Sequence, residues 1–438
     1  MSVEPGAASG QQPRRRSGLR PRTYPDPLYG EVRLSGWISP LLDTPPFRRL
    51  SGVSLSDVPG EMLFRLPFPS RLDHSRGVYA LARAARPRDR ALHVAALAHD
   101  LGHGPFSHLT EPLMIETLGI DHERRSARLL DQVRASLTPA ATRQIAWLDW
   151  DEVAALMLGE TSDGRGALLN GQMDYDNLDN VARFLLAGGL GRPGYDGRQV
   201  ARALRLTAPP SPADMNGATL TLSDSPHVVL LPDGAEGAQA WLSDRTTAYN
   251  FLRQGHRNLS MHAMLRKAVD LTAQADALPA GFFDMTDSAA LTYLSRRERS
   301  GQALLVEQVM RDSLFACVWE AEVPHDGSAI MQLVGSRRDR NTLEETLAAE
   351  AGLAPHEVVV DAVTMSAHQR ELPQLLAANG TETGAQALPL EEAPIIFHLF
   401  VAPDAGRDYQ RRVRMAAERR LGALGALPLP LSTAAPHE

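Results

Sequence analysis

The spacing of the apolar residues constrains this chain most: from Leu28 to about Leu305 they recur mostly at helical intervals, and β-branched runs are scarce. A chain so patterned folds as a helical domain. At 438 residues it is longer than one ordinary domain requires, so a large core with a smaller unit beside it is expected. Beyond about Ser313 the pattern changes. Strand-like stretches at 329–334, 358–360 and 395–401 alternate with a helix from Asn341 and another ending at Leu421, which is the grammar of an α+β unit. The expected fold class is mainly α: a helical core over 27–312 and a smaller α+β C-terminal region over 313–438.

Residues 1–26 carry Arg14, Arg15 and Arg16 among Gly, Ser and Pro. They hold too little apolar surface to order themselves and are expected to form a disordered basic tail. A surface loop is expected at 370–392, and the Pro/Ala/Leu end after Leu424 is expected to fray. The formal charge of -7 argues against a general polyanion binder. A single cysteine, Cys317, allows neither an intrachain disulfide nor a cysteine metal site. With no apolar run of the ~20 residues a membrane helix needs, and no signal-peptide core, the chain reads as cytoplasmic. Neither a membrane nor a nucleic acid is indicated as a partner.

Six of the 14 histidines, His74, His93, His99, His103, His108 and His122, fall within one short stretch. Asp89 can cap a helix running to His99, which Gly102, Gly104 and Pro105 then stop. His99 and Asp100 therefore end an apolar helix, where a buried carboxylate needs a cation or hydrogen bonds to compensate it. A metal ion satisfies both residues at once. Imidazole with carboxylate suits a divalent ion, Mn, Fe, Zn, Co, Ni or Mg, without selecting one. A further helix begins near Asp174 and stops at Gly188 and Gly189, with Asp176, Asn180 and Phe184 opposite its apolar stripe. A strand is expected at 228–231, then helices at 241–254 and 258–273.

Taken together, RLDHS at 71–75, AALAHDLGHGPFSH at 95–108, DHE at 121–123 and MDYDNLDNVAR at 173–183 resemble the ordered motif set of the HD-domain superfamily. The resemblance is closest to its deoxynucleoside triphosphate triphosphohydrolase branch and covers roughly residues 28–305. It implies four metal ligands: His74, His99, Asp100 and Asp176. Asp174 and Asp179 compete for the last place; Asp176 is preferred because DNLDNVAR then follows the family pattern, and Asp179 is expected to pair with Arg183 at i,i+4. His103, His108, Glu111 and His122 fall where the family keeps its other active-site groups. Imidazoles suit proton transfer near neutrality, and His122 is the expected general acid, oriented by Glu111, where the family typically has aspartate. His93 matches no motif and is expected to be a satisfied histidine.

Arg71 and, within HRNLSMH, Arg257 match substrate-contacting arginines. Where the family has lysine, tyrosine and aspartate against phosphate and sugar, this chain has Asn177, Asn180 and Phe184. Phenylalanine cannot accept a hydroxyl hydrogen bond, so the substrate contacts differ while the metal set is kept. Arg49, in DTPPFRRL at 43–50, matches a region that some relatives use for nucleotide-activated assembly, and a homo-oligomer is expected. The function implied is a metal-dependent phosphohydrolase acting on nucleotides, releasing triphosphate if the branch reaction is kept. Phosphodiester or phosphate-ester cleavage of another phosphorylated substrate is the alternative, and a non-catalytic scaffold binding nucleotide or single-stranded nucleic acid is a third.

Overall fold

Capping side chains start the helices that carry the chemistry. Ser70 and Asp73 form a reciprocal capping box at Arg71–Ala85: the Ser70 backbone N–H donates to Asp73 at 3.0 Å and the Asp73 N–H to Ser70 Oγ at 3.3 Å. Asp89 accepts from the Leu92 N–H at 3.0 Å to start Arg90–Ala98, and Asp174 from the Asn177 N–H at 2.7 Å to start Tyr175–Ala187. Each cap stabilises its helix by about 1 kcal/mol and, by fixing the first turn, fixes which residues face inward. This computed structural model describes residues 20–207, 227–275, 278–296, 301–323, 329–364, 374–376, 382–383 and 395–431.

The fold is mainly helical, with a smaller α+β unit toward the C-terminus. Arg71–Ala85 packs on both Arg90–Ala98 and Tyr175–Ala187, and Tyr175–Ala187 packs in turn on Ala235–Gln254; Leu81, Leu97, Leu178 and Trp241 in this core are all fully buried. A second core joins the helices His256–Gln274 and Gly301–Met310 to the C-terminal sheet through Leu265, Val306, Trp319 and Phe397. Residues on both sides of 312/313 share this core: the His256–Gln274 helix packs on the sheet, and the Gly301–Met310 helix packs on that helix.

That sheet has the order β10-β5-β9-β6, with β5 Ala316–Val323, β6 Val358–Thr364, β9 Ile395–Val401 and β10 Leu427–Pro428, all antiparallel. A second four-stranded sheet, ordered β3-β4-β7-β8, comprises β3 Leu204–Leu206, β4 Val228–Leu230, β7 Gln374–Leu376 and β8 Glu382–Thr383. Strands β1 Arg22–Asp26 and β2 Gly30–Leu34 form a hairpin.

Several expectations are corrected. The stretch 329–334 lies in a helix, Ala329–Gly335, packed on the Arg337–Ala351 helix; a short apolar run has no period that separates strand from helix. Part of the expected basic tail is strand β1, held by backbone pairing and by the Arg22–Asp43 ion pair, neither of which depends on apolar content. Arg14, Arg15 and Arg16 lie outside the described residues. The expected 370–392 loop contributes strands β7 and β8, and its remaining residues lie outside the described ones. Past Leu424 the chain pairs as β10 with β5 rather than fraying at once. Strand β5 has no counterpart in the sequence expectations.

Candidate metal centre and active site

Helix packing brings together residues about a hundred positions apart. His74 lies one turn into Arg71–Ala85, His99 and Asp100 follow Arg90–Ala98, and Asp176 opens Tyr175–Ala187. His74 Nε2 is 2.8 Å from Asp176 Oδ1, 3.3 Å from His99 Nε2 and 3.7 Å from Asp100 Oδ2. His99 Nε2 is 3.4 Å from Asp100 Oδ1 and 3.7 Å from Asp176 Oδ1. Two imidazole nitrogens facing each other among carboxylate oxygens fit a divalent cation, which bonds each donor at about 2.0–2.2 Å. The outer nitrogens support this. His74 Nδ1 donates to Asp179 Oδ2 at 2.7 Å and His99 Nδ1 to the Ala96 carbonyl at 3.0 Å, so both rings can present a bare Nε2 inward. Burial lowers the affinity of His74 for a proton, but the hydrogen bonds and charges of Asp176 and Asp179 outweigh it and raise its pKa to about 10. A divalent cation and that proton are alternatives on the same nitrogen.

The three aspartates of the motif separate by direction. Asp174 is the helix cap and accepts from Gly171 and Asn177. Asp176 faces the histidine pair. Asp179, fully buried, accepts from His74 and twice from Arg183 at 2.8 Å, and Arg183 also reaches Asp26 at 2.9 Å. The expected Asp179–Arg183 pair is present, and it also orients a histidine. Gly77 lies against it, where a Cβ would collide with both side chains.

Behind Asp100 stands Arg71, whose Nη1 donates to Asp100 Oδ2 at 3.0 Å and whose Nε donates to Ser107 Oγ at 2.9 Å. Phe106 and Ser107 both adopt the left-handed region, with φ of 61° and 49°, a conformation that costs on the order of 1–3 kcal/mol and persists where the surroundings impose it. Asp287 imposes it, accepting the Phe106 and Ser54 N–H groups at 2.8 Å each. This turn presents three imidazoles to one another. The His103 and His122 rings stack with centroids 3.9 Å apart, and His108 lies edge-on to both. Glu111 bridges the group, accepting from His108 Nδ1 at 2.9 Å and meeting His122 Nδ1 with its other oxygen. Burial opposes ionisation of Glu111, but the two imidazoles prevail and hold it well below the usual carboxylate range. The longer glutamate side chain therefore spans both histidines. His103 Nε2 lies 3.2 Å from Asp100 Oδ1, and burial together with the Arg71 charge holds that ring neutral.

Arg71 and His108 also border a cavity of about 520 Å³. Asn180 and Phe184 line it from one side, Asn258 and His262 from another, and Asp361 of strand β6 closes it from the sheet. Two expected substrate residues are elsewhere. Asn177 is buried with its amide on Asp174 Oδ1 at 2.9 Å, because the first turn of the helix points it at the cap. Arg257 donates to the Leu63 carbonyl at 2.8 Å and to Asp312 Oδ1 at 2.8 Å, bordering a separate open cleft. Phe184 packs edge-on against Phe64 and Phe68 with one side to the cavity. Arg49 donates to the Leu101 carbonyl and braces the HDLGHG turn. His93 meets the Arg86 carbonyl at 2.9 Å, the satisfied histidine expected. The sequence reading missed His262 and Asp361, which meet at 3.1 Å; the signal for Asp361 was a carboxylate inside the apolar strand VVVDAVT.

This helical arrangement with its paired histidine and aspartate defines the class of the segment: residues 71–193 match the HD domain family, so the chain carries an HD domain. Among individual proteins, it is 31% identical over 135 residues to the deoxynucleoside triphosphate triphosphohydrolase SAMHD1 of Gallus gallus, covering 26% of this chain and 22% of that one. It is 30% identical over 126 residues to the SAMHD1 of Homo sapiens, covering 25% and 20%. A longer match, 28% identical over 205 residues, is to the uncharacterized protein YwfO of Bacillus subtilis (strain 168), covering 42% and 44%. These matches span between a fifth and under half of the relatives' lengths.

Proposed function

We propose that this chain is a metal-dependent phosphohydrolase acting on nucleotides, with cleavage of a nucleoside triphosphate to nucleoside and triphosphate as its reaction. The observation that carries the reading is that Arg71 touches Asp100 and also borders the cavity, so a phosphate held by its guanidinium lies beside the buried histidine–aspartate cluster. His74, His99, Asp100 and Asp176 would hold the cation. When bound, such an ion lowers the pKa of water and polarises a phosphoryl oxygen.

The chain's own groups do the rest. Arg71 binds and orients phosphate, its direction fixed by Ser107 and Asp100. Water adds across the bond between the α-phosphorus and the nucleoside 5′-oxygen, and the departing oxygen needs a proton. His122, held by Glu111, donates it; His103 and His108 complete the proton-transfer group. The cavity walls, with Asn180 and Phe184, receive the nucleoside. In this reading the enzyme works in the cytoplasm as a homo-oligomer; no helix among the described residues is long and apolar enough to cross a membrane.

Phe184 and Asn180 favour a second reading, hydrolysis of a different phosphorylated compound. Incubating the metal-loaded protein with nucleoside triphosphates, cyclic dinucleotides and short single strands, and resolving products by ion exchange, separates the two. Triphosphate plus nucleoside supports the first reading, and other phosphate products support the second. Binding without turnover refutes both. Asp100→Ala should lose metal and activity together.

A further inference from the structure

A second set of metal-ligating side chains lies on the C-terminal sheet, outside the site just described. We propose that His256, Glu320 and His398 form a second divalent-metal site that fastens the C-terminal sheet to the helix bordering the cavity. His256 Nε2 lies 2.5 Å and His398 Nε2 3.3 Å from the same oxygen, Glu320 Oε1. All three donor atoms fall within 4.8 Å of one another.

Sheet register produces part of this arrangement. Glu320 of β5 and His398 of β9 are direct cross-strand partners, and His398 is in turn the partner of Asp361 of β6. Residues in such a row share one face of the sheet. The His256–Gln274 helix crosses this face: its first residue meets Glu320, and one turn and a half further on His262 meets Asp361. The row therefore holds two carboxylates against three imidazoles, with Asp361 already paired to His262.

The donor chemistry is that of a transition-metal site. Two imidazole nitrogens and one carboxylate oxygen suit zinc, cobalt, manganese or iron, with an open position left for water. Glu320 and His398 are buried, 6% and 4% exposed, which fixes them, while the His256 side chain is 26% exposed and gives the ion its way in. Ligands around a tetrahedral ion at about 2.1 Å stand roughly 3.4 Å apart. The His398–Glu320 distance of 3.3 Å already meets that spacing, and the His256–Glu320 contact of 2.5 Å needs to open by under an ångström at a half-open helix start. Filling the site ties three separate segments together. One of them also carries Asn258 and His262 into the cavity.

This site does not depend on the assignment of the first one, and the test keeps them apart. The 438-residue chain, stripped of metal, is titrated with Co²⁺ alone, read by visible absorption and by bound equivalents after dialysis. Wild type should take up two equivalents per chain and Asp100→Ala one. His256→Gln should remove one equivalent in either background, and Co²⁺ should raise the melting temperature of Asp100→Ala by several degrees. An unchanged stoichiometry on His256→Gln in folded protein overturns the proposal. So does an Asp100→Ala chain that binds no Co²⁺ and shows no shift in melting temperature.

Discussion

Replacing Asp179 by asparagine tests whether the metal centre depends on a residue that faces away from the ion. Asp179 accepts from His74 Nδ1 at 2.7 Å and from two Arg183 nitrogens at 2.8 Å, and these three side chains are 2% exposed or less. Solvent screening is therefore small. Asparagine keeps the shape and one acceptor oxygen but removes the charge, leaving Arg183 with Asp26 as its remaining carboxylate partner. Breaking a buried ion pair costs about 3–5 kcal/mol; with Asp26 retained, a loss of about 3 kcal/mol in unfolding free energy is expected. The imidazole also loses the partner that fixes its tautomer, an effect that typically weakens metal binding about 10–100-fold, or about 1.4–2.7 kcal/mol. The assay is calorimetric titration with Mn²⁺ at a temperature where circular dichroism shows the variant folded, paired with urea denaturation. Metal affinity within twofold of wild type in a folded variant would refute the claim that Asp179 orients His74.

Further outcomes follow from the same geometry. Glu111→Gln should lower kcat by about 10²–10⁴ through mispositioned proton transfer while leaving bound metal, measured by mass spectrometry, unchanged. Gly77→Ala should destabilise the fold by at least about 1–3 kcal/mol, seen as a lowered melting temperature, because its Cβ meets the Asp179–Arg183 pair; an unchanged melt would show that the pair can shift. The His262–Asp361 pair sets a pH window. Against the opposing effect of burial, Asp361 raises the His262 pKa above its ordinary value, and the His262 charge holds Asp361 at about 2. Stability from His262 is full below about pH 6.5 and lost as pH rises through its folded value; that from Asp361 is full above about pH 3.9 and lost as pH falls toward 2. The pair should therefore stabilise most between about pH 4 and 6.5. Asp361→Asn should flatten this dependence and return the His262 NMR titration toward its ordinary value.

The sequence by itself determined the helical class, the cap at Asp89, the helix start near Asp174, and the motif residues His74, His99, Asp100 and Asp176, because periodicity, capping and motif order are local properties of a chain. It also carried the group His103, His108, Glu111 and His122, which lies within twenty positions. Direction was not local. That Asp176 reaches His74 while Asp179 braces the same ring from behind, and that Arg257 joins Asp312 rather than the cavity, follow from the packing of segments far apart in sequence. The short apolar run at 329–334 had no period to fix its type, and the hairpin at Arg22 rests on backbone bonds that leave no apolar trace. Tertiary structure also decided the alignment of Asp361, His398 and Glu320 in one row beneath the His256–Gln274 helix, since cross-strand register depends on how strands far apart in sequence pair.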